Sequence, residues 1–231
     1  MNRFQWVTQN PAVSIAFTVL AYSLAIALHR RWRIVPPILV ACVPIVAALL
    51  WLHEPYAEYN RGGSYLTWML GPATVALGVP MHRHGMALRR SLPRLALVVL
   101  AGSIIGMVTA GLTAWLLGAP LAVVVSTVPK SVTTPIAIEV CRELHGIPQI
   151  TIAMVILAGV LGASFGPPLL RLAGVRDDRA IGAAMGTAAH GIGTASLVRH
   201  SEMQASVSAW AMAAAGIFTS LLAALLALFL R

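Results

Sequence analysis

"PKSVTTPIAIEV", residues Pro129 to Val140, places two prolines and a run of polar residues inside an otherwise apolar stretch of the chain. Lys130 is the only lysine among the 16 lysine and arginine residues. If this stretch lies within a membrane, its backbone must leave the helix there. Such backbone is tolerated only where protein buries it or a watery cavity solvates it. The interruption is therefore a candidate binding site.

The composition around this stretch predicts a polytopic membrane protein. The chain has 231 residues, of which 58% are hydrophobic and only 10% charged, and its mean hydropathy is +0.83. These values are too apolar for a soluble domain. At about 20 apolar residues per crossing, residues 1–231 form a single transmembrane domain. No soluble catalytic domain fits, and we expect no enzymatic activity.

The predicted fold is all-α, with six full spans and two interrupted helical segments. The interrupted segments, Leu121–Leu144 and Ala180–Arg199, are long enough to cross the bilayer but contain polar, proline and glycine residues in their middle. Each is either a broken helix that crosses or a re-entrant hairpin that returns. The six full spans are Val13–Leu28, Ile34–Leu52, Leu66–Met81, Leu95–Leu117, Ile150–Leu172 and Ala205–Leu230.

The formal net charge of +9 reflects membrane topology and not nucleic-acid binding. Basic residues lie at the ends of apolar runs, as in "HRRWR" (29–33) and "RHGMALRRSLPR" (83–94), where they face the cytoplasm and anionic lipid. No basic face interleaved with aromatic residues is present, so we expect no nucleic-acid partner. The acidic loop "HEPYAEYNRGG" (53–63) between them places the N-terminus outside.

The same charge rule bears on the interrupted segments. The three arginines of "RLAGVRDDR" (171–179) face the cytoplasm only if Leu121–Leu144 returns to the side from which it enters. The rule thus favours re-entrant hairpins over crossing helices. Leu95–Leu144 and Ile150–Arg199 are then each one span plus one hairpin, running in opposite directions, which predicts an inverted repeat.

The first interruption has the features of an anion site. We predict that Thr134 caps a half-helix that starts at Pro135, so that free amides and the positive dipole end face the loop. Lys130 adds a full charge, although it is alternatively an interfacial anchor. The candidate binding residues are Pro129, Lys130, Ser131, Thr133, Thr134 and Pro135.

The second interruption reads "AIGAAMGTAAHGIGTASLVRH", residues 180–200. Its glycines permit an unwound backbone, and Thr194 is predicted to cap a second half-helix from Ala195. His190 either donates to a substrate or carries a proton, or is a satisfied packing residue. The candidate binding residues are Thr187, His190, Gly191, Gly193 and Thr194.

Two further patterns concern coupling and packing. Glu139 lies inside an apolar run and is either an ion-coupling group, like His190, or the partner of Arg142 in a structural ion pair. We expect no metal and no cofactor, because Cys42 and Cys141 form no metal-binding motif. Small residues repeat every four positions in two spans, which indicates close helix packing: Gly102, Gly106, Ala110 and Ala114, and Ala158, Gly162 and Gly166.

Three motifs resemble the LrgB/CidB family of membrane proteins, which includes bacterial antiholin-like proteins and the plastid glycolate/glycerate transporter. They are "PKSVTTPIAIEV" (129–140), "GTAAHGIGTA" (186–195) and "GPATVALGVP" (71–80), and the resemblance extends over essentially the whole chain. It implies a membrane transporter or transport component for small carboxylates such as glycolate, glycerate, pyruvate or lactate. We expect it in the bacterial inner membrane, with alternating access and with proton coupling through Glu139 or His190. Ala189 stands before His190 where the family often has serine.

The same resemblance implies an alternative function and a partner. Family descriptions also present these proteins as antiholin-like regulators of murein hydrolase export and cell lysis, acting with a small holin-like LrgA/CidA membrane protein. A homo-oligomer in the bilayer is compatible with both functions. The residues alone indicate only that the loop around Lys130 is suited to a negatively charged group.

Overall fold

The computed structural model describes residues 10–31, 37–69, 72, 75–76, 78–83, 89, 91–198 and 200–230. All regular secondary structure in these residues is helical. The chain forms two compact units, residues 1–75 and 76–231.

The first unit contains α1 (Pro11–Arg31), α2 (Pro37–Leu52) and α3 (Tyr56–Trp68). Helix α1 contacts both of the others. It meets α3 closely at Gly62, where a Cβ atom would lie 2.6 Å from the Cβ of Ser14. Thr18 Oγ1 and Tyr59 Oη share a hydrogen bond of 2.7 Å in the same contact. Only glycine permits this approach of the two backbones.

Helix α3 differs from the sequence expectation at both of its ends. Most of the predicted loop 53–63 is helical, because Glu58 and Arg61 form an i,i+3 ion pair of 3.1 Å that supports a helix. The helix then ends at Trp68, inside the predicted span Leu66–Met81. Residues 70, 71, 73, 74 and 77 of that span lie outside the described residues, so its crossing of the membrane stays a prediction.

The described residues of the second unit contain seven helices: α4 (Gly78–Arg83), α5 (Leu92–Leu116), α6 (Leu121–Thr127), α7 (Thr134–Glu143), α8 (Pro148–Leu172), α9 (Asp178–Leu197) and α10 (Glu202–Leu230). In the part of the chain that the structure describes, four helices are long and apolar enough to cross a membrane, namely α1, α5, α8 and α10. Their outward faces carry exposed apolar side chains, with Leu172 84% and Phe229 86% exposed, as suits contact with lipid.

The structure therefore supports only part of the prediction of six full spans. Helices α1, α5, α8 and α10 match four of them. Residues 34–36 of the predicted span Ile34–Leu52 lie outside the described residues, and the rest of the span forms the apolar, 16-residue helix α2. The described part alone is just shorter than the roughly 17–25 residues that span a bilayer.

Helices α6 and α7 form an antiparallel pair, which we call hairpin 1 (residues 121–144). Val125, Val128, Val140 and Leu144 pack in one cluster, and Cys141 Sγ near the end of α7 lies 4.0 Å from Ser126 Oγ near the end of α6. Ser126 Oγ at the end of α6 accepts a hydrogen bond of 2.7 Å from the backbone N–H of Ile147, beyond the end of α7. The chain therefore turns back at a tip formed by residues 129–133.

Helix α9 also reverses direction, and we call it hairpin 2 (residues 178–197). His190 interrupts it with φ 39° and ψ −137°. Ser201 Oγ donates a 2.7 Å hydrogen bond to Asp178 Oδ2. A straight 20-residue helix would be about 30 Å long, and the four residues after Leu197 reach at most about 14 Å. The chain beyond His190 must therefore return toward Asp178.

The tips of both hairpins meet in the middle of α5. A Cβ atom at Gly106 would lie 3.7 Å from Ser131 Oγ in hairpin 1, and one at Gly102 would lie 3.1 Å from Thr187 Cγ2 in hairpin 2. Nearer its ends, α5 contacts the bases of the hairpins: Gly111 faces Val124 and Val128, while Leu95 packs with Ala183. The hairpins thus approach each other from opposite ends of α5.

Helix α8 is contacted by both hairpin tips at a single residue. The side chain of Val155 packs against Val132 and Ala137 of hairpin 1. Its carbonyl oxygen accepts a 2.9 Å hydrogen bond from His190 Nε2 of hairpin 2. The two interrupted segments are therefore brought together between α5 and α8.

Candidate binding site at the hairpin tips

Lys130 is partly buried at the tip of hairpin 1. Its Nζ atom donates to Ser131 Oγ at 3.2 Å. Two tight turns hold its backbone, since Lys130 N–H bonds to the carbonyl of Thr127 and Val132 N–H bonds to that of Pro129. Pro129 itself is fully buried. The position of the lysine is thus set by the turns and by a buried proline.

Lys130 lines a cavity of about 320 Å³ between α5, hairpin 1 and α8. This volume lies at the lower end of the roughly 300–1,000 Å³ that is typical of small-molecule sites. Lys130 is the only charged residue on the lining within the described part of the chain. The lining residues are Thr109, Ala110, Thr113, Ala114, Leu117, Thr127, Lys130 and Met154.

The ammonium group of Lys130 has no carboxylate partner among residues that the structure describes. The ion pairs found there join Glu58 to Arg61 and Glu139 to Arg142. Burying a charge without a partner is costly. Within the described residues, the cavity thus carries a positive charge that no carboxylate neutralises.

The hydroxyl groups of the cavity have distinct roles. Thr109 Oγ1 donates to the carbonyl of Ile105 at 2.6 Å, and Thr113 and Thr127 likewise donate to carbonyls within their own helices. A hydroxyl has one proton, so these three present only lone pairs to the cavity. Ser131, which is not on the lining, accepts from Lys130, and no hydrogen bond donated by its hydroxyl is found among the described residues.

Sequence reasoning missed the threonines of α5. Thr109 and Thr113 are spaced i,i+4 in an otherwise apolar span, which places them on one helix face. They adjoin Ala110 and Ala114, which belong to the predicted small-residue face. Two polar residues beside such a face were a usable signal for a cavity lining.

The half-helix that follows the tip begins one residue earlier than predicted. Helix α7 starts at Thr134 with Thr133 as its N-cap, and Pro135 is the second helical residue. The prediction that Thr134 is the cap is wrong, because the carbonyl of Thr133 accepts the first helical hydrogen bond, from Ala137 N–H at 2.9 Å. Thr133 makes no side-chain capping bond. No side-chain cap thus covers the amides of this turn.

His190 is buried, with 4% of its surface exposed. Because a carbonyl can only accept, Nε2 of His190 carries a proton and donates it to the carbonyl of Val155. Gly159 of α8 lies against the imidazole ring, and a Cβ atom there would come within 2.8 Å of Cε1 and Nε2. His190 thus attaches the tip of hairpin 2 to α8 at Val155. The preceding residue, Met154, lines the Lys130 cavity.

The threonines of hairpin 2 have structural partners. Thr194 Oγ1 donates to the carbonyl of His190 at 2.8 Å, and Ser208 Oγ lies 2.8 Å from it. The predicted capping of a half-helix from Ala195 by Thr194 is therefore wrong, since its hydroxyl is bonded four residues back along the chain. Thr187 Oγ1 donates to Ala183 in the same manner, at 2.7 Å.

The glycines of hairpin 2 lie at close contacts. A Cβ atom at Gly193 would meet the side chain of Ala189 at 2.5 Å, while one at Gly191 would lie 3.7 Å from Met212 Sδ. A side chain at Gly193 would therefore block the return of the chain, whereas there is room for a Cβ atom at Gly191.

Glu139 lies away from the Lys130 cavity. Its carboxylate is 2.7 Å from Arg142 Nη1, and 70% of its side chain is exposed. This is the ion pair that the sequence left as the alternative to coupling. An exposed i,i+3 pair of this kind contributes at most about 1 kcal/mol. Over the described ranges, no group of three or more His, Cys, Asp or Glu residues could hold a metal ion.

The fold defines a helical membrane protein in which two hairpins contact α5 and α8, and in the described residues Lys130 of hairpin 1 has no carboxylate partner. The profile of the LrgB-like family matches residues 18–229. The chain belongs to this family, which confirms the resemblance carried by its motifs.

Two relatives illustrate the range of similarity. Uncharacterized protein YwbG of Bacillus subtilis (strain 168) is 37% identical over 209 residues, covering 90% of this chain and 93% of the relative. Antiholin-like protein LrgB of Bacillus mycoides (strain KBAB4) is 29% identical over 215 residues, covering 92% and 94%. No solved structure matches the chain significantly.

Proposed function

We propose that this protein is a transporter, or a transport component, for small carboxylates in the bacterial inner membrane. The observation that carries the proposal is the partly buried ammonium group of Lys130, which lines a cavity of about 320 Å³ and has no carboxylate partner in the described residues. A carboxylate supplied by the substrate would provide the missing charge. The family resemblance makes glycolate, glycerate, pyruvate and lactate the first candidates.

The anion would be held by three kinds of donor. Lys130 contributes its charge, Ser131 a free hydroxyl proton, and the start of α7 a helix N-terminus without a side-chain cap. The lone pairs of Thr109 and Thr113 would accept from water or from a hydroxyl group on the substrate. Hairpin 2 supports this arrangement through His190, which fixes its tip to α8.

Transport would follow from the antiparallel arrangement of two similar units. One consists of α5 and hairpin 1, and the other of α8 and hairpin 2. We propose that they form an inverted repeat and that alternating access exposes the site at their junction to each side of the membrane. The contacts of both hairpin tips with the middle of α5 support this proposal.

Proton coupling is a further part of the proposal. His190 is the better placed of the two candidates, because it lies at the junction of the hairpins, whereas Glu139 is exposed and paired with Arg142. Uptake driven by a pH gradient should become insensitive to that gradient in either His190→Gln or Glu139→Gln. Unchanged pH dependence in both variants would exclude this coupling route.

The central experiment measures uptake of labelled glycolate and pyruvate into proteoliposomes. Lys130→Gln should lower the rate at least about tenfold, since loss of a charge-assisted contact costs about 1.5–3 kcal/mol. Lys130→Arg should retain part of the activity. Arg94→Gln, which removes an exposed cation from the start of α5, is the control and should transport normally. Wild-type uptake by Lys130→Gln, with correct insertion, would overturn the proposal.

An antiholin-like regulatory function is the second candidate. It is favoured by the names of several relatives, such as antiholin-like protein LrgB of Bacillus cereus (strain B4264), 28% identical over 215 residues. In this case the protein would act with a small LrgA/CidA-type membrane partner. Proteoliposomes would then show either no flux or a non-saturable leak, and cell lysis would depend on co-expression of the partner.

A further inference from the structure

A second cavity, of about 380 Å³, lies at the base of hairpin 2. Its lining residues are Arg171, Arg176, Asp178, Ile181 and Gln204, which come from the end of α8, the following connection, and the starts of α9 and α10. Arg171 follows Met154 of the Lys130 cavity by 17 residues of helix, or about 25 Å. The second cavity is thus a separate site at the end of α8, a helix long and apolar enough to cross a membrane.

The charges in this cavity are unbalanced. Asp178 uses its two oxygens to accept from neutral groups, Oδ2 from Ser201 Oγ and Oδ1 from Gln204 Nε2, each at 2.7 Å. Neither Arg171 nor Arg176 forms an ion pair with any residue that the structure describes. Two exposed arginines and one carboxylate that is already hydrogen-bonded therefore line the cavity, and the charged lining residues are two basic and one acidic.

The chemistry and the location indicate the same ligand. The guanidinium group matches the oxygens of a phosphate with paired donors. In the same turn of α8 as Arg171, Leu169 and Leu172 are 60% and 84% exposed and offer apolar surface to acyl chains. Basic pockets between helices at a membrane surface are characteristic sites for anionic headgroups.

We propose that this cavity binds the phosphate of an anionic phospholipid, with Arg171 and Arg176 as its ligands. The bound lipid would stabilise the base of hairpin 2, because the same cavity contains the Asp178 carboxylate that joins α9 to Ser201 and Gln204. Membrane lipid composition would thereby affect the hairpin whose tip carries His190. This inference does not depend on the proposed transport function.

The test compares lipids and variants on the full-length protein in detergent micelles. Thermal unfolding is followed during titration with phosphatidylglycerol, with phosphatidylcholine, or with inorganic phosphate. The variants are Arg171→Gln, Arg176→Gln and the double variant. Arg179→Gln is the matched control, because Arg179 is an exposed arginine in the same region that does not line the cavity.

Phosphatidylglycerol should raise the midpoint of unfolding of the wild-type protein, while phosphatidylcholine should not. Each single variant should weaken the lipid response about fivefold in apparent affinity, and the double variant about 25-fold; Arg179→Gln should respond as wild type. The proposal is overturned if the double variant responds normally, if Arg179→Gln is weakened equally, or if inorganic phosphate alone reproduces the shift.

Discussion

The contact between Gly159 and His190 is the sharpest test of how hairpin 2 is attached. In Gly159→Ala, the new methyl group would lie 2.8 Å from Cε1 and Nε2 of His190 and from Cδ1 of Ile192. A separation below 3.0 Å cannot be accommodated without movement. The ring can move only by breaking its 2.9 Å hydrogen bond to Val155.

The expected magnitude follows from three contributions. Overpacking costs about 1–3 kcal/mol, and loss of a hydrogen bond between membrane helices costs about 0.6 kcal/mol on average. The higher helix propensity of alanine relative to glycine offsets about 1 kcal/mol of this destabilisation. The net destabilisation of Gly159→Ala is therefore about 0.6–2.6 kcal/mol.

Gly106→Ala is the matched control, because this glycine lies on α5 at the tip of hairpin 1. Its new methyl group would lie 3.7 Å from Ser131 Oγ, an ordinary van der Waals distance. We expect this variant to be as stable as wild type or up to about 1 kcal/mol more stable. The two variants make the same chemical change at the two hairpin tips.

The assay is equilibrium unfolding in mixed micelles of mild detergent and increasing SDS, followed by fluorescence of the six tryptophans. Gly159→Ala should unfold at a lower SDS fraction than wild type, and Gly106→Ala should not. Equal stability of Gly159→Ala and wild type would refute the described packing of His190 on α8. Lower stability of both variants would show that replacing glycine destabilises these helices whether or not the new methyl group makes a close contact.

Two further predictions concern the other hairpin contacts. Ser126→Ala should destabilise the protein by about 1–3 kcal/mol, because the backbone N–H of Ile147 would lose its 2.7 Å acceptor; unchanged SDS unfolding would contradict this role in closing hairpin 1. Gly186→Ala should strongly lower the yield and stability of the protein, because a Cβ atom there meets the backbone carbonyl of Ser208. Gly216→Ala should lower them only mildly, since its new Cβ atom meets only the end of a flexible side chain. Comparable yields and unfolding of these two variants would contradict the close approach of α9 and α10.

The apolar spans of this protein were predictable because length and hydropathy relate directly to bilayer thickness. Helices α1, α5, α8 and α10 therefore agree with the expectation. The region around α3 was not predictable in this way, since its sequence mixes Tyr, Glu, Asn and Arg with apolar residues. Local i,i+3 and i,i+4 pairs make it helical, and hydropathy does not detect them.

The candidate site was likewise only partly predictable from the sequence. Lys130 was identifiable because a charge inside an apolar run is rare and costly. Its surroundings were not, because whether a carboxylate such as Glu139 lies near it depends on which face of α7 is buried. The structure turns Glu139 outward to Arg142 and turns Thr109 and Thr113 toward the lysine.

The sequence by itself determined that the chain is a helical membrane protein of the LrgB-like family, that two segments are interrupted, and that one of them carries a solitary lysine. Only the tertiary structure decided that both segments turn back and meet between α5 and α8. Hydropathy is the same for a segment that crosses and for one that returns. The difference lies in contacts between distant residues, such as Ser201 with Asp178 and His190 with Val155.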